Sequence, residues 1–273
     1  MSRFKRRLLL AAAFALPSTA ALAQAWPAKP IRMIVPLAPG ATADIVARVF
    51  AEELGKSLGQ TIVVDNKTGA GGTIATAELA RAPADGYTMG LVSQGTMVFN
   101  IGLYKTPGYD PLKDLAMVAV TGGVSNVLIV SPDNPARTVV DLLAQARAKP
   151  GELTYSSGGV GTSHHMSGVL LELRTGVKLQ HVPYRATPAG IQAVANGEVA
   201  MGLFNTPTVI SLIKGGKLKA LAVTSESRSN LLPDAPTMIE AGVKEYVVNT
   251  WMGFAAPAGV PEPVITRLNA EIN

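Results

Sequence analysis

Ile31-Arg32-Met33-Ile34-Val35-Pro36-Leu37-Ala38-Pro39-Gly40-Ala41-Thr42, continued to Leu58, is the stretch that decides the fold. Its first five residues form an apolar β-type run, and Pro36 to Ala41 make a turn. Thr42 is then expected to cap a helix in which Val46, Phe50, Leu54 and Leu58 recur every fourth residue. Thr61-Ile62-Val63-Val64 reads as a second strand. Strand, helix, strand in that order is the unit of a parallel sheet covered by helices.

Working outward, the rhythm repeats. A turn at Gly69-Ala70-Gly71-Gly72 opens a helix to Arg81, and Asp85-Gly86 turns into a strand from Tyr87 to Val92. Strands at Met117 to Val120 and Asn126 to Val130 precede a helix from Val139 to Ala148. Beyond it lie the strand Leu153-Thr154-Tyr155, a helix around Val169-Leu170-Leu173, and strands at Gln180 to Val182, Ala200 to Phe204 and Leu218 to Val223. The reading is an α/β architecture, largely parallel, with ligands expected beyond the carboxyl ends of the strands. Two runs, Met117 to Val130 with its Gly122-Gly123 pair and Leu218 to Ser225, suit places where the chain leaves one sheet for another. A glycine bulge inside one large sheet is the other reading of Gly122-Gly123.

Composition narrows the class. Of 273 residues, 48% are hydrophobic and 16% charged, which excludes disorder and supplies one large core or two. Met1 to Arg7 carries Arg3, Lys5, Arg6 and Arg7 without an acid, Leu8 to Leu16 is apolar, and Ala21-Leu22-Ala23 offers a cleavage site. Residues 1–23 therefore read as a signal peptide cut before Gln24, or before Trp26, and the location as periplasmic. A membrane anchor is the other reading of the leader. Beyond the first 25 positions no apolar run reaches the roughly 18 residues of a membrane span. Without the leader, 20 basic groups face 19 acidic ones, so nucleic acid is not an expected partner. The absence of cysteine excludes a disulfide framework, a thiol nucleophile, Cys-ligated metal and lipidation at cysteine.

Enzyme motifs are sparse. The histidines are His164, His165 and His181, with no H-E-x-x-H, no G-x-S-x-G and no phosphate loop. Adjacent His164 and His165 would diverge by about 100° on a helix and could not clamp one metal together. Asp44 could serve as an acid or base, but a carboxylate in a first helical turn also serves capping and the helix dipole. What recurs is small-residue turns before helices: Pro39-Gly40-Ala41-Thr42, Gly69-Ala70-Gly71-Gly72 and Ser156-Ser157-Gly158-Gly159-Val160-Gly161-Thr162. Free amides at such helix starts suit a carboxylate or phosphate, although tight strand-to-helix turns need glycine on structural grounds too. Thr162 can cap its own helix or donate to a bound carboxylate. The expectation is the second, with Thr162→Val weakening ligand binding more than folding.

Trp26-Pro27-Ala28-Lys29-Pro30-Ile31-Arg32-Met33-Ile34-Val35-Pro36 resembles the opening of the Bug family, the extracytoplasmic solute receptors of tripartite tricarboxylate transporters. Asn66-Lys67-Thr68-Gly69-Ala70-Gly71-Gly72, Ala84-Asp85-Gly86-Tyr87-Thr88, Ser157 to Thr162 with His165, His181-Val182-Pro183-Tyr184-Arg185 and Trp251-Met252-Gly253 continue the resemblance in order. It implies a two-lobed periplasmic binding protein that closes on its ligand. One lobe would comprise residues 24–123 and 226–273, and the other residues 124–225. It also implies a binding site from Pro39, Gly40, Ala41, Thr42 and Asp44 facing Ser157, Gly161, Thr162 and His165, with the turn Ser93-Gln94-Gly95-Thr96 and the strand end Phe204-Asn205-Thr206-Pro207 as side walls; the hydroxyls of Ser156, Ser157, Thr162 and Ser163 would add donors. The ligand would be a small organic carboxylate, held without metal or cofactor by a monomer that serves membrane permease subunits or a sensor kinase's outer domain. Further helices after the Trp251 segment are implied as well, so the chain is expected to be C-terminally short. Departures from the family pattern are Ala41, Thr68 and Ala186, where glycine, proline and glycine are usual. Arg185 would favour several carboxylates if it enters the cleft, or would be a surface residue before Pro188. Two other readings stay open: a periplasmic hydrolase of carboxylate or phosphate esters using Asp44 and His165 as an acid-base pair, and a scaffold engaging a membrane sensor.

Overall fold

Residues 26–273 are described by a computed structural model. The expected signal peptide lies outside them. The first part of the chain runs β1 (Ile31–Val35), α1 (Thr42–Leu58), β2 (Ile62–Asn66), α2 (Thr73–Ala80), β3 (Thr88–Ser93) and the short α3 (Asn100–Leu103). A long strand, β4 (Leu115–Val130), leads to α4 (Val139–Ala148), β5 (Thr154–Ser157), α5 (Ser163–Thr175) and β6 (Gln180–Pro183). Then come α6 (Thr187–Ala195), β7 (Met201–Asn205), α7 (Thr206–Lys214) and β8 (Lys219–Val223), before β9 (Asn249–Pro257) and α8 (Glu262–Ile272).

Strand order is β2-β1-β3-β9-β4-β7-β5-β6, with β8 also paired to β4. Strand–helix alternation makes β1, β2 and β3 parallel, and likewise β5, β6 and β7. The strands linking these groups are antiparallel, β9 to β3 and β4, and β4 to β7 and β8, so the sheet is evenly mixed rather than largely parallel.

The linking strand explains the two lobes. Leu115 to Ser125 of β4 pairs with β9, whereas Asn126 to Val130 pairs with β7 and, from Val127, with β8. One uninterrupted strand thus serves both halves of the molecule. Gly122, at φ +124°, sits where the register against β9 shifts, a bulge three residues before the change of partner. Beyond β8 the chain does not return after Ser225 as expected. Leu232 and Ala235 pack with Ile129 and Val223, and Met238, Val243 and Tyr246 pack with Leu128, Leu142 and Leu171. The Tyr246 hydroxyl donates to Ser167 O (2.7 Å). The return comes instead between Val248, whose amide bonds Thr224 O, and Asn249, which pairs with Ser125.

Each half has its own cores. In α1 the deeply buried stripe is Ala43, Ala47, Ala51, Leu54 and Leu58, with Val46 and Phe50 only partly buried at its margin. Small side chains let the helix lie close against β1, and α8 packs Val264 and Leu268 into the same cluster. Gly59, at φ +66°, ends α1 in the left-handed conformation a side chain resists. Among the described residues no helix is long and apolar enough to cross a membrane.

Candidate functional site: the cleft between the lobes

The carboxyl ends of β1 and β3 from one lobe and of β5 and β7 from the other meet at an enclosed cavity. Its lining includes Pro36, Leu37 and Ala43, then Ser93, Gly95 and Thr96, then Thr162, Ser163, His164, Asn205, Thr250 and Met252. It encloses about 30 Å³, room for a water or two, so the lobes are drawn together here. The starts of α1 and α5 reach it from opposite lobes, through Ala43 and through Ser163 and His164. First-turn amides have no intrahelical acceptor, and both helix dipoles turn their positive ends to the cavity. Thr250 Oγ1 is buried without a hydrogen-bond partner. Among the described residues, no Lys, Arg, Asp or Glu lines the space.

Contact between the lobes runs through glycines. A Cβ on Gly71 (φ +59°) would fall on the Val160 carbonyl oxygen, and one on Gly95 would lie 2.8 Å from Gly161 O. Tyr104 Oη donates to Val160 O (3.2 Å). Asn100 Nδ2 holds Gly71 O at 3.0 Å, and a Cβ on Gly161 (φ +85°) would collide with Asn100 Oδ1. Only backbone this bare lets the loops of β3 and β5 approach so closely.

Of the site residues expected from sequence, Ser93, Gly95, Thr96, Thr162, Ser163 and Asn205 line the inner cavity. Pro39 and Gly40 are exposed beside it, and Ala41 is buried as the true N-cap of α1. Thr42 is not the cap: it is the first helical residue, and its buried hydroxyl has no partner. Asp44, 4% exposed, spends its carboxylate on its own loop, accepting from Gly40 N (3.0 Å), Asn66 Nδ2 (3.0 Å) and Arg48 Nε (3.0 Å). Burial alone would raise this carboxyl, but the bonds from Arg48, Gly40 and Asn66 outweigh it and hold it below its ordinary value. It positions the β1–α1 turn and is already fully paired. Gln94 lies in a neighbouring groove with Phe99 and Met166.

The Ser157–Thr162 loop differs most from expectation. Gly158 N donates to His164 Nδ1 (3.3 Å), Gly159 N to Ser157 Oγ (3.0 Å) and Gly161 N to His165 Nδ1 (3.2 Å). The Gly158, Gly159 and Gly161 amides are therefore taken by nearby side chains and Thr162 N by Gly159 O, while among the described residues the amides of Val160, Ser163 and His164 carry no such bond. Ser157 Oγ also lies 2.6 Å from His181 Nε2, and His181 stacks between Tyr155 and His165 at 4.8 and 4.3 Å. With Nδ1 accepting, His164 gives its Nε2 proton to Asn205 Oδ1 (3.1 Å), and Asn205 Nδ2 passes the chain to Asn126 Oδ1. Burial pushes His164 down to about 4, and burial with its neighbour His165 does the same to His181. His165 is lowered by burial too. Asp44 and His165, each bound within its own loop, form no acid-base pair.

Thr162 Oγ1 donates to Gly159 O (2.7 Å) and accepts from His165 N (3.4 Å), the cap of α5. Thr162→Val is accordingly expected to cost about 0.5–2 kcal/mol in denaturant unfolding, and to change ligand affinity less than tenfold by calorimetry. This reverses the weighting expected from sequence.

His164, Thr250 and Met252 were not among the site residues expected from sequence. The Trp251-Met252-Gly253 motif pointed at the right strand, and strand alternation puts Thr250 and Met252 on one face.

A family model described as "Tripartite tricarboxylate transporter family receptor" matches residues 46–273. The chain belongs to that family. Protein BugT of Bordetella pertussis is 39% identical over 253 residues, covering 92% of this chain and 77% of BugT. Among solved structures, the Rhodopseudomonas palustris protein MatC with bound malate aligns with TM-score 0.87 at 31% identity, over 90% of this chain and 84% of MatC. An R. palustris protein solved with adipate aligns with TM-score 0.88 at 36% identity, over 90% and 83%. The periplasmic binding protein BugD aligns with TM-score 0.86 at 36% identity, over 90% and 82%. This chain shares with these proteins the two-lobed solute-binding fold.

Proposed function

We propose that this chain is an extracytoplasmic receptor that captures a small organic carboxylate in the interlobe cleft, closes over it and presents it to the membrane permease of a tripartite transporter. One observation carries the reading: two helix starts from opposite lobes converge on a cavity that holds hydroxyls and amides but no acid and no cation. Such a lining suits an anion that must be gripped and released, and offers no general base, since His164 has both nitrogens engaged. The malate and adipate bound in the two R. palustris relatives make carboxylates the class to try first. The proposed lobes are residues 26–125 with 249–273, and 126–248, working in the periplasm as a monomer without cofactor.

The test is a thermal-shift screen of carboxylic acids on the purified protein, followed by small-angle scattering. A ligand at a hundredfold excess over Kd adds about 2.7 kcal/mol, or roughly 5–10 °C in Tm for a chain of this size. The radius of gyration is expected to fall on binding. Turnover of an ester substrate with no carboxylate binding would overturn the reading.

A further inference from the structure

Outside the inner cavity the cleft widens into a second chamber of about 250 Å³. The two share Leu37 and Gly71, so they adjoin. Backbone of the Gly69–Gly72 turn forms one wall, and Gly158 and Gly159 form the other. Tyr184 and Arg185, directly after β6, stand at its edge. Tyr184 N donates to Ser157 O (3.0 Å), which ties this strand end to the loop that closes the cleft.

Arg32, Arg48, Arg174, Arg228 and Arg267 each hold a carboxylate, whereas among the described residues Arg81, Arg137, Arg147 and Arg185 pair with none, and of these four it is Arg185 that lines the chamber. It is exposed, at the edge of a chamber built from glycine backbone, and the cavity inside that chamber has no cation of its own. A first carboxylate at the start of α5 would be met by amides and hydroxyls alone. A guanidinium farther out can then read only what extends from it.

We propose that Arg185 is a specificity-determining residue whose guanidinium receives a second anionic group of the ligand, selecting acids charged at both ends over mono-acids of the same chain. This rests on the carboxylate-receptor reading. Arginine suits the task because its planar fork can hold a carboxylate through two parallel bonds.

The test is calorimetry on the whole chain with two matched pairs, adipate against hexanoate and succinate against butyrate. Wild type is expected to prefer the dianion of at least one pair. Arg185→Gln is expected to weaken that dianion about tenfold or more, with the mono-acid unchanged within about twofold. Arg185→Lys should recover part of the loss, and added salt should weaken the dianion more in wild type than in Arg185→Gln. Equal loss for both members of a pair, or no loss for either, with an unchanged Tm, overturns the role of Arg185 and leaves the receptor reading standing. So does a wild type that binds the mono-acids as tightly as the dianions. If none of the four binds and a wider acid screen is also blank, the receptor reading itself fails.

Discussion

Gly71→Ala is expected to leave both lobes folded and yet to abolish tight ligand binding. At φ +59° a Cβ is itself disfavoured by about 1–2 kcal/mol. The larger effect is where that Cβ would go: onto the backbone oxygen of Val160, across the cleft in the other lobe. A side chain in the way could rotate aside, but a carbonyl in a loop pinned by Gly161 N to His165 and by Tyr104 Oη cannot. Parting the lobes relieves the collision, so the substitution penalises the closed state and spares the open one. If closure is coupled to binding, affinity falls in proportion to the lost closed population, roughly a hundredfold for a penalty near 3 kcal/mol. Gly59→Ala is the control, with a similar φ of +66° and nothing within 4 Å of its Cβ. It should lower Tm and leave affinity alone. Scattering would show Gly71→Ala remaining expanded with ligand present. Wild-type affinity in that variant would mean that the ligand does not require these loops to meet.

The elements were legible wherever local pattern decides them. The run Ile31–Val35 and the turn before Thr42 gave the first strand and helix, because apolar burial at the periods of strand and helix leaves its mark in sequence. The return to the first lobe was not legible. Between Ser225 and Val248 the chain has no period; what holds it is Tyr246 reaching Ser167 and Met238 buried against the second lobe, contacts between residues far apart in sequence. At the site, turns of small residues before helices were readable; that Asp44 would turn its carboxylate to Gly40, Arg48 and Asn66 was not. The occupation of the Gly158 and Gly161 amides was hidden. It depends on imidazoles folding back over the loop, and a histidine's partner nitrogen is set by three-dimensional shape rather than by spacing.

Acid is expected to loosen that loop well before it reaches the carboxylates. His164, 2% exposed, accepts from Gly158 at Nδ1 and donates to Asn205 at Nε2, an arrangement open only to the neutral ring. Its pKa is about 4 in the folded chain against an ordinary 6.5, so between those values the unfolded chain binds the proton and the folded chain does not. Stability is therefore full above pH 6.5, falls as the pH drops towards 4, and levels below it; a fully buried group with this shift contributes about 3 kcal/mol to the fall. His165 and His181 are lowered as well and push in the same direction. The paired carboxylates Asp44, Asp65 and Asp141 are held below their ordinary 3.8, and Glu52, Glu240 and Glu271 below 4.5, so their stabilisation is lost from about pH 4.5 downward and the histidine slope is read above it. Urea unfolding at steps from pH 7 to 4 measures the slope directly. His164→Gln should start less stable at pH 7, having lost a buried bonded ring, and should lose less on acidification because its amide takes no proton. A wild-type ΔG that stays flat from pH 6.5 to 4.5, or a His164→Gln slope equal to that of wild type, would show that the imidazole is not what fastens the loop.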